Sequence, residues 1–155
     1  MKKILFVCLG NICRSPLAQG IFEKRIEDHG LSDHFYADSA GTSGWHKGEK
    51  PQSGSLVAAQ KHEIDISRQK SRPVSHSDNV EFDSFIAMDK SNQMNLINEF
   101  SIPHEKVHLL RNFDPQKGDL NVPDPYAMGQ GAFDEVFAII DRCMPGLIKF
   151  LNEQV

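Results

Sequence analysis

Apolar residues in this chain follow two rhythms. Short runs in which nearly every position is apolar, such as Ile4-Leu5-Phe6-Val7 and Phe85-Ile86-Ala87-Met88, read as strands buried on both faces. Longer stretches place apolar residues three and four apart, as helices with one buried face do. The pattern predicts strands near Lys3–Cys8, Phe35–Ala40, Ser84–Met88 and Lys106–Leu110, and helices near Pro16–His29, Ser53–His62, Lys90–Phe100 and Gly131–Leu151. Such alternation is that of an α/β fold with a parallel sheet covered by helices on both faces. In the last helix Phe133, Val136, Phe137, Ile140, Cys143, Met144, Leu147, Ile148 and Leu151 form one stripe, which places Cys143 in the core. Pro145 is expected to kink or split that helix. The more polar stretches 41–52, 70–79 and 112–128 are expected as long loops, the kind that build sites on a rigid scaffold.

Chemistry concentrates where the first strand ends. Cys8-Leu9-Gly10-Asn11-Ile12-Cys13-Arg14-Ser15 has C-x5-R-S spacing and leads into Pro16, so Ser15 is expected as helix N-cap and Pro16 at the first helical position. Loop amides, the positive end of the helix dipole and the Arg14 guanidinium then converge on one thiol. That field favours thiolate over thiol and makes Cys8 the candidate nucleophile. The same cradle suits a tetrahedral dianion, because Arg14 can bind phosphate oxygens in pairs and the loop amides can take the rest.

Composition narrows the setting. At 155 residues the chain is near the usual size of one domain, expected to span 1–155. A formal charge of −4 and the lack of a basic run argue against nucleic acid as a partner. No apolar stretch approaches the ~20 residues of a membrane span, and the Met-Lys-Lys start shows no cleavage site, so a cytoplasmic protein without a membrane partner is expected. Three cysteines, Cys8, Cys13 and Cys143, do not make a disulfide scaffold, and C-x4-C has no second pair to complete a zinc site. No metal and no cofactor are expected.

The segment V-C-L-G-N-I-C-R-S-P from Val7 to Pro16, with Asp124-Pro125-Tyr126 far down the chain, resembles the low-molecular-weight protein tyrosine phosphatases. The resemblance covers essentially the whole chain. It implies a single-domain, four-stranded parallel sheet of flavodoxin-like order 2-1-3-4, which sets Cys8 at the carboxyl end of a central strand. It also implies catalysis by Cys8, Arg14 and Asp124, and a phosphate loop of Leu9, Gly10, Asn11, Ile12, Cys13 and Ser15. In that loop Asn11 supports the backbone, Ser15 stabilises the thiolate and Ser39 braces Asn11. Pro-Asp-Pro alone is an ordinary turn; beside the phosphate loop, Asp124 becomes the candidate general acid, held extended by Pro125. Asp114-Pro115 lacks the following Tyr and is expected as a plain loop residue.

The implied reaction is hydrolysis of phosphotyrosine in proteins, and of small aryl phosphates, through a cysteinyl-phosphate, with inorganic phosphate as product. Trp45 and Tyr126 are expected to wall an aromatic slot. The chain departs from the family at Ala127, where many members have a second aromatic residue, and at Pro51-Gln52-Ser53-Gly54, where many read Pro-Asp-x-Arg. Cys13 is the expected redox partner of Cys8.

Other readings are weaker. His104-Glu105-Lys106-Val107-His108 matches H-E-x-x-H, but on a strand its imidazoles stand about 13 Å apart at ~3.3 Å per residue, too far to share zinc. An arsenate reductase of this fold needs relay cysteines, and 84–90 contains none. An arginine phosphatase of this type carries Thr where this chain has Ile12. A phosphotyrosine-binding module without turnover would lack the nucleophile or the acid, and both are present.

Overall fold

The computed structural model describes residues 1–116 and 118–154. Four strands, β1 (Lys2–Cys8), β2 (Phe35–Gly41), β3 (Ser84–Ala87) and β4 (Val107–Leu109), form one all-parallel sheet in the order β2-β1-β3-β4. Among the described residues they are accompanied by the α-helices α1 (Arg14–Asp28), α2 (Ser53–Gln60), α3 (Asp78–Glu81), α4 (Lys90–Asn98) and α5 (Gln130–Glu153).

The period-two geometry of β1 explains why its run is apolar without a break. Ile4, Phe6 and Cys8 face a core shared with α1, α2 and α5, whereas Leu5 and Val7 face a second core with Phe85, Leu96 and Leu109. Both faces are dry, so neither admits a polar residue. The Phe133 ring of α5 lies against the backbone of α2 at Gly54, where a Cβ would lie 2.3 Å from it.

Several local expectations need correction. Ser15 is not the N-cap: Cys13 holds that position, α1 begins at Arg14, and Pro16 is the third helical residue. The loop winds into helix earlier than the proline suggested, because the Ser15 hydroxyl is turned to the Cys8 sulfur instead of a backbone amide. Pro145 does not split α5, which runs unbroken over 24 residues. Its missing N–H frees one carbonyl while the apolar stripe stays buried along the whole length. Helix α3 lies partly in a stretch read as loop; it is a single short turn with no apolar period to announce it. Helix α2 stops at Gln60, before a left-handed Glu63 (φ 60°).

Asp114 is more than a loop residue. It is 3% exposed and accepts from Arg142 Nε and Nη2, at 2.9 and 3.0 Å, with Arg111 at 3.2 Å. The Arg142 hydrogen bond, outweighing burial, holds its carboxyl below the ordinary range. It anchors the 110–116 segment to α5 and is spoken for. Cys143 is fully buried as expected, and burial pushes its thiol up to about 12.

Candidate active site

Parallel strands place their carboxyl ends on one edge, and the site assembles there. Cys8 ends β1, Asp89 follows β3, and the β2 end continues into 42–52. The Cys8 carbonyl accepts from Thr42 N at 2.9 Å, and the Leu9 carbonyl from Ser43 N at 3.0 Å, so the nucleophile loop and the 42–52 loop leave the sheet together.

Cys8 Sγ lies 3.0 Å from Ser15 Oγ and accepts from the Asn11 N–H at 3.3 Å. Asn11 Nδ2 donates to Ser15 Oγ at 2.8 Å and to Ser39 Oγ at 2.9 Å. Ser15 Oγ accepts from Asn11, so its own proton remains available to the sulfur 3.0 Å away. The Ser15 hydroxyl and the Asn11 N–H thus both border the sulfur. Asn11 itself sits in the left-handed region (φ 56°), where Asn is tolerated better than most residues. Its Oδ1 accepts from Arg72 N at 3.0 Å, and Arg72 is in turn clamped by Asp38 and Asp78. The strained residue is held from both ends of its amide.

Arg14 and Ser15 open α1, so their N–H groups have no carbonyl one turn back, and Pro16 at the third position has no N–H at all. The helix end therefore offers two free donors beside the thiol. Arg14 is 3% exposed; Nη1 donates to Asp89 at 2.7 Å and to the Val122 carbonyl at 3.0 Å. Its Nε is buried and has no hydrogen-bond partner, and Nη2 has only Asp124 Oδ2 at 3.9 Å. One edge of the fork is anchored and the other is presented to the loop, the arrangement that binds two oxygens of one anion. Burial opposes charging of Arg14, but the Cys8, Asp89 and Asp124 charges outweigh it and hold the guanidinium above its ordinary value.

Asp124 faces this edge from the opposite side. Its Oδ1 accepts from Tyr126 N at 3.0 Å, an Asx turn that fixes the carboxyl and leaves Oδ2 toward Arg14. A cleft of about 260 Å³ is lined at its floor by Cys8, Cys13 and Arg14, and at its sides by Ile12, Asp124 and Tyr126, with Trp45 at the rim, 77% exposed. Every residue predicted for catalysis, the phosphate loop and the cleft wall is brought to this one place, with Ser39 just behind it. His104 is exposed and His108 stands on β4 against Phe150, so the H-E-x-x-H residues do not converge. No metal-binding cluster occurs among the described residues.

Two contributors escaped the sequence reading. Asp89 orients Arg14 and caps α4 through Oδ1, at 2.8 Å from Asn92 N. Its position just past the third strand, next to β1, was the available signal. His46, which follows Trp45, also lines the cleft.

The model of the low molecular weight phosphotyrosine protein phosphatases matches residues 3–155. The chain belongs to that family. It is 38% identical to the low molecular weight protein-tyrosine-phosphatase of Streptomyces coelicolor, covering 99% of this chain and 95% of that protein. The crystal structure of a protein tyrosine phosphatase from Entamoeba histolytica superposes with a TM-score of 0.92 at 34% identity, covering 99% of each chain. The drosophila arginine phosphatase has the same phosphatase fold, with a TM-score of 0.89 at 31% identity over 97% of this chain and 98% of that one. No helix among the described residues of this phosphatase is long and apolar enough to cross a membrane.

Proposed function

We propose that this phosphatase hydrolyses phosphotyrosine in proteins, and small aryl phosphates, through a cysteinyl-phosphate. The observation that carries the reading is the pairing of a Cys8 sulfur bordered by the Ser15 hydroxyl and the Asn11 N–H with the buried, unpartnered Nε of Arg14, and Asp124 across from both. Cys8 attacks phosphorus while Arg14 and the helix-end amides hold the equatorial oxygens. Asp124 protonates the leaving phenol, then as carboxylate takes a proton from the water that releases inorganic phosphate. Besides water, the steps use side chains and backbone amides of this chain. A reduced Cys8 suits a reducing compartment, which supports a cytoplasmic location.

Tyrosine is favoured by the walls. Trp45 and Tyr126 line the cleft above Cys8, and a phenyl ring can pack against both where a phosphoserine side chain offers neither wall a ring. Phosphoarginine is disfavoured because Ile12, buried at the cleft, has no oxygen for a guanidinium nitrogen. Phosphotyrosine peptides are expected to turn over in EDTA, with phosphoserine and phosphoarginine peptides far slower; equal rates on the three would overturn the reading. Trp45→Ala should raise KM for phosphotyrosine peptides about 3- to 10-fold, the worth of an aromatic pair. Inhibition by inorganic phosphate, which touches only the loop, should move less than about twofold on the same scale.

Cys13 fits the role of a resolving thiol. Burial, with the Cys8 and Asp124 charges, pushes its thiol up to about 12, so peroxide attacks Cys8 first. Peroxide converts the Cys8 thiolate to sulfenic acid with loss of hydroxide. The Cys13 sulfur then displaces water to form a Cys8–Cys13 disulfide, which dithiothreitol reduces. Peroxide should inactivate wild type and Cys13→Ser alike, but only wild type should recover well. Equal recovery, measured as regained turnover with peptide mapping of the disulfide, would remove Cys13 from the mechanism.

A further inference from the structure

The main chain just ahead of Pro123 is gripped at every polar group. Asn121 N donates to Asp119 Oδ1 at 2.9 Å, and the Asn121 carbonyl accepts from Arg111 Nη1 at 2.9 Å. Val122 N donates to the Met88 carbonyl at 2.8 Å, and the Val122 carbonyl accepts from Arg14 Nη1 at 3.0 Å. Two arginines thus hold consecutive carbonyls on the approach to Asp124. Arg14 belongs to the phosphate site; Arg111 lines no part of the cleft. It stands on the short 3₁₀ turn Leu110–Phe113 that follows β4, and its largely buried side chain is seated through Nε on Asp114 Oδ2 at 3.2 Å. Asp114 is clasped in turn by Arg142 of α5, the helix into which the Asp124 loop runs.

Pro123 and Pro125 leave the chain little freedom to absorb a shift, because both lock φ and Pro125 restricts Asp124 as well. A displacement at Asn121 therefore reaches the Asp124 carboxyl. Proton transfer needs that carboxyl within about 2.6–3.2 Å of the leaving oxygen, and a misplacement on the order of 1 Å can cost about 10²-fold. We propose that Arg111, seated on Asp114, is a positioning residue for the general acid: its bond to the Asn121 carbonyl sets where Asp124 meets the leaving oxygen. This deepens the phosphotyrosine reading and rests on Asp124 as its acid. Cys8 keeps its own neighbours in Ser15 and Asn11, and Arg14 keeps Asp89, so the effect of Arg111 falls on proton transfer and not on phosphate binding.

The test compares kcat/KM on a phosphotyrosine peptide with kcat/KM on p-nitrophenyl phosphate, whose phenolate leaves largely unaided. Arg111→Lys keeps a cation beside Asp114, but its nitrogen falls one bond short of Nη1 and loses the Asn121 carbonyl. The peptide value should fall about 5- to 20-fold, part of what a general acid contributes, and the p-nitrophenyl phosphate value less than about twofold. Inhibition by inorganic phosphate should move less than about twofold, since it reads the loop alone. In an Asp124→Asn background, Arg111→Lys should add less than about twofold on the peptide, because the acid it positions is gone. Arg111→Met, which removes every donor, should shift the ratio of the two substrates at least as far as Arg111→Lys. Arg142→Lys loosens the same Asp114 from α5 and leaves the Asn121 bond in place, so it should lower the melting temperature without moving that ratio. An unchanged ratio in both Arg111 variants, an equal shift in Arg142→Lys, or a full additional loss in Asp124→Asn would overturn the proposal. Wild type inactive on both substrates, or Asp124→Asn losing both alike, would instead sink the acid reading beneath it.

Discussion

Cys8→Ser should lower turnover of p-nitrophenyl phosphate and of phosphotyrosine peptides by at least about 10⁴-fold while retaining peptide binding. A covalent nucleophile cannot be dropped in part: knock-outs of this kind cost on the order of 10⁴–10⁶ in kcat. A serine hydroxyl at residue 8 ionises far less readily than a thiol, and the contacts at 3.0 and 3.3 Å would meet an atom of smaller radius. The oxyanion machinery is untouched, because Arg14 is oriented by Asp89 and Val122 and not by the sulfur. Loss of the sulfur charge also relieves repulsion of the incoming dianion, so the variant should hold phosphopeptide at least as tightly as wild type. Kinetics and a binding titration on the same preparation check both halves. Turnover surviving in Cys8→Ser would exclude the cysteinyl-phosphate, and no phosphoenzyme would then be trapped by acid quench of wild type.

The nucleophile loop was legible because everything it needs is contiguous. The strand, the five-residue spacing, Arg14 and the proline lie within Ile4–Pro16, where local backbone geometry decides the outcome. The helix start was misread by two residues because a serine before proline also suits a cap. Here the hydroxyl has a stronger use at Cys8. The strand order rested on resemblance, since alternation fixes only that the sheet is parallel. Partners far apart in the chain were the least visible. Asp89 meets Arg14 across 75 residues, and Arg72 reaches Asn11 through a backbone amide across 61, which no side-chain pattern can reveal. Asp114 shows the converse. Its Asp-Pro context is the same as that of Asp124, yet two arginines bury and neutralise it while Asp124 remains half exposed at the cleft. The resemblance separates the two through Tyr126, and the structure adds the physical reason: one carboxylate is held by two arginines and the other is left free at the cleft.

That freedom sets the second large effect. Asp124→Asn keeps the Asx turn, because the amide carbonyl can still accept from Tyr126 N, but it removes the transferable proton. The expected loss depends on the leaving group. A phenol like tyrosine, with a pKa near 10, must be protonated as it departs, so phosphotyrosine turnover should fall about 10²- to 10⁴-fold. The p-nitrophenolate ion is a much weaker base and leaves largely unaided, so its formation should slow far less. The second half-reaction then becomes exposed. With no carboxylate to accept a proton from water, the cysteinyl-phosphate drains slowly, and p-nitrophenyl phosphate should show a burst of one equivalent followed by a slow steady state. A series of aryl phosphates graded by phenol acidity makes the measurement: wild-type rates should vary little across it, and Asp124→Asn rates should fall steeply as the phenol becomes less acidic. A uniform loss across the series would mean that Asp124 only orders the loop beside Arg14, and that the proton reaches the leaving oxygen from elsewhere.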